Sequence, residues 1–355
     1  MIVVTSVLLL LSTLKQAVEA SCTKETTIVR KEWLQMSNPE RAAYINGVKC
    51  LQSRPSKLAA LIPASRSGFD DFAAIHANQT RSIHFSGIFY AWHRHYLHLF
   101  EAALHEHCGY PAKQGVPYWD WTLDAYQAGL AATLLFDGSP HSLGGDGEPD
   151  PAAAPYIVAG GTLPHGSGGG CVRAGPFANA TVPFGPFNIT HLLTGLPTDW
   201  QRGTPHCLQR DLNDFALRRY NGPAAVAAAL AAKDVSEFQA RTAGPADPGI
   251  HGGGHFSVGA SMNDPFGSPQ DPVFYLHHGM LDRVWALWQE GAGVVPGAGL
   301  AGRRYRYDGT SSLFNAPDTP VVNNETVLAF GVLGSDVKMW ETQDVSAGLY
   351  CYRYE

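Results

Sequence analysis

The stretch from Asp271 to Glu290, DPVFYLHHGMLDRVWALWQE, constrains this chain most. Asp271 followed by Pro272 signals a helix start, because a carboxylate can accept the free amides of a first turn and proline is tolerated at the first helical position. The helix runs on through Phe274, Leu281, Trp285 and Trp288 until Gly291 and Gly293 interrupt it. Apolar residues cover most of its circumference, which marks a buried helix. Such a helix should avoid ionisable groups, yet this one carries His277, His278, Asp282 and Arg283. In an interior these are costly unless paired or bound to a metal.

Upstream lies HGGGH, His251 to His255. On a helix this spacing puts both imidazoles on one face, one turn apart. His277 or His278 would complete a set of three. Three neutral imidazoles suit copper, zinc or iron, whereas magnesium and calcium call for oxygen ligands, and a three-ligand set leaves a coordination position open for chemistry. Gly252, Gly253 and Gly254 disfavour a helix by about 0.8 to 1 kcal/mol each relative to alanine. Something beyond local propensity must hold this turn, either metal ligation at its ends or close backbone approach to a neighbour.

The first half offers His76, His84 and His93, with His95, His98, His105 and His107 as competitors. His84 and His93 would lie on opposite sides of one continuous helix. Both can reach one metal only if the chain breaks between them, and Gly87 can supply that break. Spacing alone does not choose among these histidines.

Other features set the context. Residues 2–14 form an apolar run too short to span a bilayer, followed by small residues near Ala20, so residues 1–20 read as a secretory signal peptide. Residues 21–355 are expected to form one domain, with its core at about 70–290. A net charge of −6, without a basic stretch, excludes nucleic acid as a partner, and no membrane association is expected after signal removal. In an exported chain the six cysteines, Cys22, Cys50, Cys108, Cys171, Cys207 and Cys351, read as three disulfides, with Cys22 and Cys351 expected to tie the ends together. Asn78, Asn179, Asn188 and Asn324 head glycosylation sequons. Helices are expected over 38–51, 67–76, 90–107, 123–135, 208–220 and 224–233. A glycine- and proline-rich connection should fill 138–190, and short strands the tail.

Taken in order, DDFAAIH, HFSGIFYAWHR, PYWDW, HGGGH and SPQDPVFYLHHGMLDRVW resemble the dinuclear, type 3 copper domain of tyrosinases and catechol oxidases (polyphenol oxidases), especially short secreted fungal forms. The resemblance spans roughly Asp70 to Trp288. It implies a mainly α fold, with a four-helix bundle gripping two copper ions amid long irregular loops and a few short strands. It also implies an extracellular oxidase that uses dioxygen as co-substrate to turn small o-diphenols into o-quinones. Carried over by position, His76, His84 and His93 would hold one copper and His251, His255 and His278 the other. His277, Asp282 and Arg94 would be supporting groups; His95, His98, His105 and His107 would not be ligands.

The chain departs from that family in places. Ser82 stands where many relatives have a cysteine crosslinked to the second ligand. Gly252 stands where an asparagine is associated with proton removal from monophenols, and no glutamate directly precedes His251; Glu237 and Asp247 are the nearest acids. These differences favour oxidation of diphenols or o-aminophenols over phenol hydroxylation. Phe266 is the candidate for a bulky gate over the copper, and no C-terminal shielding domain is expected. The alternatives are a hemocyanin-like dioxygen carrier, a full tyrosinase with monophenolase activity, and a zinc hydrolase or structural site.

Overall fold

The computed structural model describes residues 22–126, 129–158, 161–291 and 303–355. The proposed signal peptide at residues 1–20 lies outside them. The fold is mainly helical, and each long helix has a legible start. In α1 (Asn38–Ser53) and α2 (Gly68–Ile83), Ser37 with Glu40 and Ser67 with Asp70 form reciprocal capping boxes that satisfy first-turn amides. Helix α2 runs a further two turns past the expected end at His76, so that His84 becomes its C-terminal cap in extended conformation. Helix α3 (Phe89–Cys108) ends where expected, with Gly109 in the left-handed region at φ 64°.

The helix expected over 123–135 does not form. Among the described residues of this stretch, only a single turn, α4 (Trp121–Asp124), and a 3-10 turn at Leu130–Ala132 are present. Gly129 at φ 122° breaks the helical path, and the Asp214 carboxylate takes the Leu130 amide in a long-range bond. After the turn α5 (His191–Thr194), α6 spans Asp214–Tyr220, shorter than expected. Residues 208–212 are extended instead, because their amides bond to Ala180, Gly170 and Val258 and Asn213 caps the helix after them. Helices α7 (Pro223–Leu230), α8 (Val235–Ala243), α9 (Gly249–Val258) and α10 (Val273–Gln289) follow. Asp271 accepts the Val273 amide as the sequence suggests, but its carboxylate is also clasped by Arg210 through Nε and Nη2, both at 2.8 Å.

The bundle that matters consists of α2, α3, α9 and α10: α3 packs on α2 and on α10, and α10 packs on α9. Around it lie two-stranded pairings. β1 (Ile28–Arg30) runs parallel to β10 (Tyr352–Tyr354), so the two ends of the described chain meet, and the Cys22–Cys351 disulfide joins them as expected. The irregular connection contains β2 (Gly147–Pro149), β3 (Tyr156–Val158), β4 (Gly161–Leu163), β5 (Gly169–Val172), β6 (Thr181–Val182) and β7 (His206–Cys207). These pair as β2 with β5, β3 with β4 and β6 with β7, and the Cys171–Cys207 disulfide fastens the region. Cys50–Cys108 ties the end of α1 to the end of α3, and the tail adds the pair β8 (Val327–Leu328) and β9 (Val337–Lys338). No helix of the described residues is long and apolar enough to cross a membrane. Asn78, Asn179, Asn188 and Asn324 are all exposed.

Candidate metal centre

Two groups of buried histidines face each other inside the bundle. In the first, His76 comes from α2, His84 from its C-cap and His93 from α3, with ring centroids 5.0, 5.2 and 5.7 Å apart. The chain does break between His84 and His93. There Phe85 takes φ 49°, and Gly87 passes so close to the Asp308 carbonyl that a Cβ would lie 2.3 Å from it. The Nδ1 atoms of His76, His84 and His93 face the carbonyls of Phe266, Thr80 and Phe89 at 2.9, 3.0 and 2.8 Å. A carbonyl only accepts, so each Nδ1 carries the proton and each Nε2 keeps its lone pair.

The second group holds His251 and His255, one turn apart on α9, with His277 and His278 on α10. His255 Nδ1 donates to the Met262 carbonyl at 2.6 Å, and its Nε2 lies 3.4 Å from that of His278. The glycines of HGGGH are explained by close approach: a Cβ at Gly253 would lie 2.2 Å from Tyr220, and one at Gly254 2.2 Å from the His277 ring. The helix therefore forms because its neighbours need a surface without side chains, against its own propensity. His277 is wedged between Gly254 and Trp121, whose ring centroid is 5.4 Å away. His278 stacks on Phe274 at 4.1 Å and on His93 at 4.5 Å.

Within each group the candidate ligand atoms lie within 4.8 Å of one another. The groups meet where His93 stacks on His278 and His84 on His251, at 4.5 and 5.9 Å. Burial pushes the imidazoles toward the neutral form, to about 4 for His84 and His255 and well below the ordinary value for His76, His93, His251, His277 and His278. The buried Nε2 atoms of His76, His93 and His251 have no hydrogen-bond partner. Neutral, oriented imidazoles with unspent lone pairs are what copper requires, so the residues present fit the metal. The other helix α3 histidines stand apart: His95 bonds Tyr350, His98 packs on Tyr350 and His105 bonds the Gln114 carbonyl.

Behind the histidines, Asp282 accepts from Arg94 Nε, Tyr352 and Tyr354 at 2.5 Å each and from Arg30 Nη1 at 3.3 Å. Arg94 and Asp282 are supporting groups that the family resemblance implies; Arg30 and the two tyrosines are not among them, since nothing local in the sequence links them to α10. Ser82 bonds its own helix at the Gln79 carbonyl. Phe266 differs from the gate expected of it. Asp264 accepts the amides of Phe266 and Gly267, and the turn this makes buries the Phe266 ring against Ala77 and Leu192 while its carbonyl meets His76. A cavity of about 390 Å³ opens above His84, His251 and His255; Gly252, Met262 and Pro265 line it and Phe266 does not. Sequence reasoning missed the other wall residues, Ile157, Ile189, Leu193 and Phe314 among them.

Fold and site define a helical protein with paired all-imidazole metal sites beneath an apolar cavity. The chain belongs to the tyrosinase family: residues 66–291 match the common central domain of tyrosinase. It is 40% identical to tyrosinase P of Aspergillus terreus over 358 residues, covering 95% of this chain and 97% of the relative. It is also 40% identical to the N-acetyl-6-hydroxytryptophan oxidase ivoB of Emericella nidulans over 350 residues, 94% of each chain. A polyphenol oxidase variant from Thermothelomyces thermophila has a similar solved structure, with a TM-score of 0.86 at 38% identity, covering 94% of this chain and 90% of that one. Proteins of this family bind a dinuclear copper centre, and this chain is an oxidase of that family.

Proposed function

We propose that the protein is a secreted dicopper oxidase that uses dioxygen to oxidise o-diphenols to o-quinones, and o-aminophenols to o-quinone imines, with weak hydroxylation of monophenols. His76, His84 and His93 would hold one copper, and His251, His255 and His278 the other. Copper bound there supplies two adjacent one-electron centres, enough to take two electrons from a diphenol and pass them to dioxygen. The observation that carries the reading is the face-to-face placement of the two histidine groups, with Nε2 lone pairs left over.

The chain itself holds the imidazoles neutral, fixes the tautomers of His76, His84, His93 and His255 through backbone carbonyls and supplies an apolar cavity that orients a phenol ring. His277, wedged beneath α9, and the Arg94–Asp282 pair are positioning groups. The preference for diphenols is supported by the cavity wall, which among the described residues carries no carboxylate. Asp247 caps the Gly249 amide and Glu237 pairs with Arg241, and neither lines the cavity in which a phenol would bind. Export is supported by the disulfides, the exposed sequons and the apolar N-terminal run.

The test is a panel of catechol, 2-aminophenol and tyramine on copper-loaded protein, with metal analysis. Tyramine consumed without a lag, at a rate near that of catechol, would defeat the diphenol preference. Copper content measured for His278→Gln and His277→Gln separates the ligand from its neighbour: the first should lose the second ion, the second should retain it in part.

A further inference from the structure

The cavity above the histidines is roomier than a bare catechol ring needs, and its mouth is unusual. Ile157, Leu193, Ile189 and Phe314 line it while being 77%, 69%, 52% and 46% exposed. Together they form an apolar collar around the entrance, where a soluble surface would ordinarily carry polar groups. Apart from the histidines, no ionisable side chain lines the cavity among the described residues.

A second chamber of about 170 Å³ adjoins the first across Phe85, Phe314, Gly244 and Pro245, and its lining is mixed: Ser86, Gln239, Asp308 and Asn315 together with Phe89 and the alanines of α8. Phe85 and Phe314 belong to the walls of both chambers. Their rings stack on each other, centroids 5.2 Å apart and planes 25° from parallel. Both stand on left-handed backbone, Phe85 at φ 49° and Phe314 at φ 55°. A bulky side chain there costs about 1 to 3 kcal/mol and persists only where its surroundings impose it.

The surroundings do impose it. The Gly87 amide donates to the Thr310 carbonyl at 2.8 Å, which docks the loop carrying Phe314 onto the turn carrying Phe85. Asn315 Oδ1 accepts the Thr310 amide at 2.8 Å, and Ser312 Oγ accepts the Ala316 amide at 3.1 Å, closing the loop on itself. The strained backbone thus holds an aromatic partition between the apolar cavity and a chamber that carries polar and acidic groups.

We propose that Phe314 is a specificity-determining residue. Stacked on Phe85, it closes the substrate cavity on the side of the second chamber, where Asp308 lies, and restricts the enzyme to phenols whose substituent is uncharged and apolar. The proposal rests on the phenol-oxidase reading above for its substrate, and on the two chambers and the stacked pair for its geometry. An apolar tail lies along the collar, gaining about fourfold in affinity for each methylene buried. A charged tail is desolvated there without a partner.

The test compares 4-butylcatechol with 4-(4-aminobutyl)catechol on the copper-loaded wild type, Phe314→Gly and Phe314→Tyr. Glycine removes the ring and also relieves the left-handed backbone, and Phe314→Ala is the second variant should glycine loosen the loop. Two ratios are read: kcat/KM in air, and Kd from anaerobic calorimetry on protein reduced beforehand to the cuprous state, which has no oxidant to turn the catechol over. The wild type should favour the butyl compound on the order of a hundredfold. Phe314→Gly, by joining the cavity to the chamber that Asp308 lines, should reduce that ratio about two- to fivefold, and Phe314→Tyr should keep it. A wild type that prefers the ammonium tail, or a folded Phe314→Gly with unchanged ratios, overturns the proposal. If no catechol is oxidised in air while the Kd ratios move as described, the oxidase reading fails and the role of Phe314 stands.

Discussion

Arg94 Nε and Asp282 Oδ1 lie 2.5 Å apart, both fully buried, and they join α3 to α10 one turn from the place where His93 stacks on His278. The pair fixes the relative position of the two helices that carry the candidate ligands His93 and His278, from different histidine groups. Arg30, Tyr352 and Tyr354 complete the shell around Asp282, so both ends of the described chain are fastened to the same carboxylate.

Replacing Asp282 by Asn should therefore be severe. It leaves Arg94 buried without its counter-charge, while Arg30 keeps the Glu101 carboxylate at 2.9 Å, and the cost is about 3 to 5 kcal/mol. Burial alone would raise the Asp282 carboxyl, but Arg94, Arg30 and the two tyrosine hydroxyls outweigh it and hold it below the ordinary value. A folded-state value below the unfolded one gives stability that is present above about pH 4 and lost as pH falls through the folded value. Urea unfolding at several pH values checks this: the gap between wild type and Asp282→Asn should be constant from neutral pH to about 5 and close below about 4. A gap that widens in acid contradicts it.

Glu32 should show the opposite pH dependence. It is 1% exposed, one of its oxygens lacks a partner, and burial, with Asp120 and Asp124 nearby, raises its carboxyl to about 7 despite help from backbone amides. A raised acid contributes stability below its unfolded value that disappears as pH rises through the folded value. Glu32→Gln, which keeps the shape and an acceptor for the Gln35 amide, should match wild type near pH 5. At pH 8 it should gain up to roughly 3 kcal/mol. Melting temperatures at the two pH values decide it, and an equal effect at both would be inconsistent with a titrating Glu32.

Gly254 is a packing requirement of the centre. A methyl group there would meet the His277 ring at 2.2 Å and must displace it. Gly254→Ala should cost about 1 to 3 kcal/mol through overpacking, although alanine is the better helix former. Because His277 adjoins His278, copper per chain should also fall, with the loss confined to the second histidine group. A variant that is more stable than wild type and fully loaded would show that helix propensity governs this turn after all.

The Cys171–Cys207 disulfide closes a loop with a sequence separation of 36, and that loop contains the collar residue Ile189. Replacing both cysteines by alanine should lower stability by about 3 to 4 kcal/mol on the loop-entropy account. The cavity wall should loosen with it, which would appear as a smaller preference of kcat/KM for 4-butylcatechol over catechol. Unchanged melting and unchanged preference together would assign the wall's order to packing alone.

The contrast between elements that were legible and those that were not has a physical basis. Helix α1 could be read because Asn38-Pro39-Glu40 marks its beginning, and the end of α3 because Gly109 follows its last turn. The region 123–135 was misread because its alanines and leucines favour a helix, while Gly129 and the distant Asp214 carboxylate enforce a different path. Phe266 was assigned to a gate by its place in the chain, but the side of the turn on which its ring falls is set by Asp264.

By itself the sequence determined the chemistry. Histidine spacing, the i and i+4 relation of His251 and His255 and the break at Gly87 all act within a turn or two, where backbone geometry is fixed by local rules. Tertiary structure alone decided which rings meet across the bundle, which distant residues neutralise Asp282, and that Phe314 closes the cavity. Those outcomes depend on surfaces contributed by separate segments, and no local period in the chain encodes how such surfaces fit together.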